Sequence, residues 1–182
     1  MQIKEIDSKT CGKFLDNNHI QGRTSSKIKL GAYVGDELVG VMTFIQSRGC
    51  QGSKERIDGQ WELNRFCTLI NMQVIGLVSK MLSYFIKHFN PSIVISFSHN
   101  DISKGDVYSQ LNFIKDGKPN TSYYYIKSNK RYHRSNFTRA GIVRRWPEYD
   151  INDRSWTERA VMDGKNYYRI YDSGTQKWVL RI

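Results

Sequence analysis

The chain has 182 residues, 39% of them hydrophobic and 13% aromatic, enough to fill the core of one good-sized domain or of a domain with an appendage. Its formal charge of +11 is unevenly held: 14 Lys and Arg stand against 11 Asp and Glu up to residue 116, and 14 against 6 beyond it. Three cysteines without a CxxC spacing (Cys11, Cys50, Cys67) argue against a zinc ribbon or a disulfide framework, and the lack of an 18-residue apolar run or a basic-then-apolar leader argues against membrane insertion and secretion, so a cytoplasmic protein is expected.

"MQIKEID" reads as a short strand, and "SKTCGKFLDNN" as a helix capped by Ser8 with Cys11, Phe14 and Leu15 at helical spacing. The polar bend "NNHIQG" then holds His19, which is either a solvated turn residue or an imidazole able to bind substrate or exchange a proton near neutral pH. Leu30 to Val34 and Leu38 to Phe44 make a hairpin turned at Gly35-Asp36-Glu37, and the Gly-rich, charged stretch from Arg48 to Gln60 reads as a loop. In the strand "WELNRFCTLI", Leu63, Arg65 and Cys67 alternate with Glu62, Asn64 and Phe66, so at most one of Glu62 and Arg65 points into a cleft.

"QVIGLVSKMLSYFIKHF" is a largely apolar helix that begins at Gly76 and is ended by Pro91. "SIVISFS" is a β-branched run of the kind buried on both faces, "SKGDVYSQLNFI" a second helix ending near Asn112, and "TSYYYIKS" another strand. A strand, a helix and a buried strand in that order predict a locally parallel pair with a right-handed crossover, hence a mixed α/β sheet.

The last third is basic. From Gly117 to Pro147 there is no acidic residue, while Lys127, Lys130, Arg131, Arg134, Arg139, Arg144 and Arg145 are interleaved with Tyr123, Tyr124, Tyr125, Tyr132, Phe137 and Trp146. Cations displace the counterions of phosphates and aromatic planes stack on bases, so those seven cations are the expected nucleic-acid contacts, with DNA the expected partner. The structural alternative is a solvated basic face with some tyrosines in a strand core. A short helix around Phe137 to Val143, a helix "WTERAVMDG" closed by Gly164 and a hairpin turned at Asp172 to Thr175 complete the chain. Residues 127–182 read as an annex on a core formed by 1–126.

The segments "LGAYVGDELVGVMTF", "WELNRFCTL", "QVIGLVSKML" and "VYSQLNFI" resemble the central strands, the strand-to-helix turn and the last helix of the GNAT-type N-acetyltransferase fold. The resemblance implies an α/β fold with a centrally splayed mixed sheet flanked by helices. In that family a Gln/Arg-x-x-Gly-x-Gly/Ala turn holds the pyrophosphate of acetyl-CoA on backbone N–H groups. Here the turn is Gln73-Val74-Ile75-Gly76-Leu77-Val78, with Val78 where a second small residue stands in the family, and Ser79 and Lys80 follow. The implied cofactor is acetyl-CoA or another acyl-CoA. Tyr108 stands where such enzymes carry the tyrosine that protonates the departing thiolate, unless it is a packed helix aromatic.

"IKEIDSKTCGKFLDNNHIQG", "ELNRFC", "SKMLSYFIKHFNPSIVISFS" and "YYRIYDSGTQKWV" are similar to the accessory domain at the C-terminus of phage homing endonucleases and, more distantly, to phage Mom-type DNA modification proteins, GNAT-like enzymes that alter adenine. That similarity implies a cleft at His19 and an Asp after the buried strand. In "SFSHND" His99 stands at that position and Asp101 two residues later, so either Asp101 takes the acidic role or the role is lost. Tyr108, His19, Asp101, His99 and Arg65 are thus the candidate catalytic residues. His19 and His99, isolated and without fixed spacing, carry no metal-site signature. Two main functions follow: a phage-encoded acyltransferase acting on DNA or a DNA-associated acceptor, or a non-catalytic DNA-binding module. A third is an anti-defence factor that binds a host protein.

Overall fold

The structure, a computed structural model, describes residues 1–46 and 57–182. Along the chain run β1 (Gln2–Glu5), α1 (Ser8–Asn18), β2 (Ile28–Val34), β3 (Glu37–Gln46), β4 (Gln60–Thr68), α2 (Leu77–Phe89), β5 (Ile93–His99) and α3 (Asp106–Gln110). They are followed by β6 (Ile114–Asn120), β7 (Tyr123–Lys127), β8 (Lys130–His133), a 3-10 turn (Arg134–Phe137), α4 (Arg139–Arg145), α5 (Glu158–Gly164), β9 (Tyr168–Tyr171) and β10 (Thr175–Arg181). The loop expected from Arg48 to Gln60 lies largely outside the described residues, as does Cys50. No helix among the described residues is long and apolar enough to cross a membrane.

Two compact units emerge, the first of residues 1–98, 103–118 and 176–182, the second of 99–102 and 119–175. The boundary expected at 126/127 falls inside β7, and the last seven residues group with the first unit rather than with an annex.

A seven-stranded sheet has the order β1-β2-β3-β4-β5-β10-β6. Its first three pairings are antiparallel, and β4–β5 is the expected parallel pair. Helices cover both faces. On α2, Leu77, Met81, Leu82 and Phe85 recur at helical spacing and are buried against Leu30, Met42, Phe44 and Leu63, with the Phe44 and Phe85 rings stacked. Cys11, Phe14 and Leu15 of α1 pack with Val41, which points the other way along β3. That two-sided cover explains why β3 is buried almost end to end. The α1 cap is Asp7, not Ser8: its carboxylate accepts from the Lys9 and Thr10 amides at 2.8 and 2.9 Å, and an anion suits the positive end of the helix.

The parallel β4–β5 pairing runs only from Gln60↔Ile93 to Glu62↔Ile95. Beyond it the strands part, and the buried Ser96 Oγ, donating to the Leu63 carbonyl at 2.8 Å, is the link between them. Here the sheet splays, as the fold class requires.

In the second unit a three-stranded antiparallel sheet, β8-β7-β9, covers a small core of Tyr125, Phe137, Ile142, Trp156, Val161, Met162 and Tyr167. The expected C-terminal hairpin does not form as such, because β9 pairs with β7 and β10 joins the large sheet. A turn signal reports a reversal of the chain, not the partner of each strand. Strands β6 ("IKDGKPN") and β8 ("KRYH") escaped the sequence reading, since neither carries an apolar alternation. Gly164 is the last residue of α5 rather than its cap; Asn166, at φ +60°, supplies the left-handed turn.

Candidate active site

A cavity of about 170 Å³ opens in the first unit where β4 and β5 diverge, and α3 and the bend after α1 complete its wall. Three of the expected catalytic residues, His19, Arg65 and Tyr108, meet there with Asn64, Ser96 and Val78.

Their meeting depends on a bulge. Leu63 pairs with Phe44 and Arg65 with Thr43, so Asn64 is an extra residue without a partner on β3. Asn64 Oδ1 accepts from Thr43 Oγ1 at 2.6 Å and from Ser26 Oγ at 3.3 Å, which holds the bulge in place. The extra residue resets the alternation of side chains, so Glu62 and Arg65, expected on opposite faces, line one depression with Asn64, Thr24 and Ser25. Each also feels the other's charge.

Tyr108 is held at its hydroxyl, 2.9 Å from Ser96 Oγ and 3.4 Å from the Phe97 carbonyl. The Ser96 hydroxyl lies within donating distance of both the Leu63 carbonyl and the phenol oxygen, while the Tyr108 hydroxyl itself donates to the Phe97 carbonyl. Burial pushes the Tyr108 pKa up, against the pull of the Ser96 contact, so the phenol stays protonated at neutral pH. The ring stacks on Trp178 at 5.4 Å, and the Trp178 indole donates to Ser98 Oγ at 2.8 Å.

His19 Nδ1 accepts the Gln21 amide at 3.1 Å. Burial first, and then the Arg65 charge, lower the imidazole pKa, so the ring is neutral and carries its proton on Nε2. The Arg65 guanidinium donates from Nη1 to the Asn64 carbonyl at 2.6 Å and from Nε to the Gly22 carbonyl at 3.3 Å. Burial lowers its pKa while Glu62 opposes the shift, and burial raises that of Glu62 while Arg65 opposes it.

The turn Gln73 to Lys80 forms the start of α2. Gly76 is its N-cap, at φ +74°, a conformation that suits glycine, and no side chain caps the helix. The Leu77 amide bonds the Val74 carbonyl at 3.2 Å, while the amides of Val78 and Ser79 fall in the first turn, where a helix offers no acceptor. A Cβ added at Gly76 would meet nothing within 4 Å, so the backbone is open to approach. Gln73, Ile75, Ser79 and Lys80 are exposed; the Val78 side chain packs towards the core and the cavity. An accessible, uncapped helix start of this kind fits a phosphate group.

His99 and Asp101 are not brought to this cavity's lining. Both group with the second unit, where Asp101 Oδ1 accepts from the Ser173 amide and hydroxyl, and His99 Nδ1 lies 3.4 Å from Thr175 Oγ1. Asp101, expected as the acid of the cleft, instead holds the turn at 172–175 through Ser173. Asn64 and Ser96 are the site residues that sequence reasoning missed, while of Glu62 and Arg65 it is Arg65 that lines the cavity and Glu62 that stays in the neighbouring depression. A serine within the apolar run "SIVISFS" and an asparagine inside a strand were their only signals.

Among the seven expected nucleic-acid contacts, Lys127, Lys130, Arg131, Arg134, Arg144 and Arg145 are exposed. Arg139 is committed elsewhere: it lies 3.8 Å over the Trp156 ring and donates to the carbonyls of Ile151, Asp153 and Trp156. Lys127 Nζ also donates to a carbonyl, that of Lys165, at 2.9 Å.

Sheet order, splay and flanking helices are those of the GNAT acetyltransferase fold. An acetyltransferase of Bacillus subtilis solved in complex with CoA aligns over 100% of this chain and 98% of its own, at 13% identity and a TM-score of 0.53. An acetyltransferase of Bacillus anthracis in complex with acetyl coenzyme A aligns over 100% and 97%, at 9% identity and a TM-score of 0.51. No curated protein sequence matches the chain. Within this fold class the chain belongs to the Mom protein family, which it matches over residues 1–170.

Proposed function

We propose that this protein is an acyl-CoA-dependent N-acyltransferase whose acceptor is a nitrogen of DNA or of a DNA-associated molecule. The observation that carries the proposal is the continuity of two features: Val78, whose amide belongs to the uncapped start of α2, also lines the cavity that holds the Tyr108 hydroxyl. When bound, acyl-CoA supplies an activated acyl thioester. The amides of Val78 and Ser79 bind its pyrophosphate, with Gly76 leaving room and Lys80 adding positive charge. Tyr108 holds a proton for the departing sulfur, and its raised pKa keeps that proton in place until the bond breaks. His19 Nε2–H and the Arg65 guanidinium orient acyl or acceptor oxygens, and Glu62, in the depression that shares Asn64 and Arg65 with the cavity, accepts the proton that the acceptor nitrogen loses. The DNA acceptor is supported by the acid-free cationic stretch of the second unit and by the similarity to Mom-type proteins.

The experiment is a thermal-shift and calorimetric titration with acetyl-CoA. A ligand at 100 times its dissociation constant stabilises by about 2.7 kcal/mol, and Gly76→Asp should abolish the shift by setting a carboxylate against the phosphates. Neither heat nor shift at millimolar acetyl-CoA would refute the enzyme and leave the non-catalytic DNA-binding module.

A further inference from the structure

The small sheet of the second unit has two unlike faces. Tyr125, Tyr132 and Arg169 turn to the core side, where Tyr125 is fully buried and Arg169 donates to its hydroxyl at 2.8 and 3.0 Å. Register fixes the membership of the other face. Tyr124 stands opposite His133 on β8 and Ile170 on β9, and Ile126 stands opposite Arg131 and Tyr168. These six residues share one side, and no core of the second unit includes any of them.

A sheet face that meets only water is ordinarily polar. This one carries two tyrosines and two isoleucines, with Tyr168 68% exposed and Ile170 40% exposed. None of the six is acidic, and one of them, the exposed Arg131, brings a positive charge to this face. Tyr124 is the centre of this arrangement: the Arg131 guanidinium lies 4.6 Å over its ring, and the His133 ring meets it edge-on at 5.4 Å. A face of planar rings, aliphatic spacers and cations complements a polymer of planar bases joined by phosphates. A protein partner would find an apolar patch interrupted by unpaired positive charge.

We infer that this face binds unpaired nucleic-acid bases, stacking them on Tyr168 and Tyr124, with Arg131 neutralising the adjoining phosphate. The inference rests on the reading of the acceptor as nucleic acid and adds that the second unit grips the strand through its bases as well as its charge. Tyr124 and Tyr168 are diagonal neighbours on adjacent strands, about 7–8 Å apart by sheet geometry, so successive bases of one strand can each find a ring. Stacking tolerates any base, so the face confers affinity for single-stranded segments rather than sequence preference.

The test uses the full chain with three probes of equal length: oligothymidylate, the same sugar–phosphate backbone without bases, and a duplex. The parent should prefer the base-bearing single strand over the abasic one. Tyr168→Ala should weaken oligothymidylate binding by about 5- to 150-fold, leaving abasic affinity and salt dependence nearly unchanged, whereas Tyr168→Phe should bind like the parent. Changing Arg131 and Arg134 together to Ala should instead lower the single-strand salt slope by about 1.4 units, at about 0.7 per phosphate contact. Equal binding of base-bearing and abasic strands by the parent, or an unchanged preference in Tyr168→Ala, overturns the inference while leaving the acceptor reading intact. No binding to any of the three probes overturns both.

Discussion

Gly105 offers a quantitative check on how Tyr108 is positioned. It is the N-cap of α3, at φ +80°, and a Cβ there would lie 2.2 Å from Trp178 Cζ2 and 2.7 Å from Cε2. The indole cannot yield as the tip of a flexible chain would, being almost fully buried, stacked on Tyr108 and bonded to Ser98. Gly105→Ala should therefore incur two costs, about 1–2 kcal/mol for an L-residue in the left-handed region and about 1–3 kcal/mol for overpacking, or about 2–5 kcal/mol together. Gly35→Ala is the control: its φ is +58°, but an added Cβ meets nothing within 4 Å, so only the first cost of about 1–2 kcal/mol applies. Urea unfolding followed by tryptophan fluorescence measures both variants. If the two lose the same stability within about 0.5 kcal/mol, a margin typical of surface substitutions, Trp178 is not the rigid wall described and the account of Tyr108 fails with it.

Tyr108→Phe should lower turnover by about 10²- to 10⁴-fold while acetyl-CoA binding stays intact, because only the proton donor is removed; an unchanged rate would make Tyr108 a packing residue alone. The folded His19 holds its proton less firmly than the unfolded ring, whose pKa is 6.5, so the native state loses stability as pH falls through that value. His19→Gln should flatten this acid loss in urea midpoints compared at about pH 7.5 and about pH 5, and an identical slope in both proteins would contradict the burial of the ring. Arg139→Ala should destabilise the second unit by more than about 2 kcal/mol through the lost carbonyl bonds and indole stack, with the salt slope of nucleic-acid binding unchanged. A slope lower by about 0.9 on duplex DNA, with stability intact, would return Arg139 to the set of phosphate contacts.

Sequence by itself determined those features whose physics is local. The apolar periodicity of α2 with Gly76 at its head, the β-branched run of β5 and the hairpin of β2 and β3 are each carried by consecutive residues, and with them came the mixed sheet and the cationic C-terminal third. Only the tertiary structure decided what depends on partners distant along the chain. The bulge at Asn64 is held because β3 supplies Thr43 and the loop before β2 supplies Ser26, and it overrides the two-residue alternation that separated Glu62 from Arg65. His99, the last residue of β5, and Asp101 just beyond it are held at the turn at 172–175 by Thr175 and Ser173. Arg139 reads as one more cation until three carbonyls and an indole surround it, and Tyr168 reads as one more strand aromatic until the register with Ile126 turns it outward. A side chain's type limits the chemistry it can perform; which atoms it finally faces is set by contacts that no short window of sequence contains.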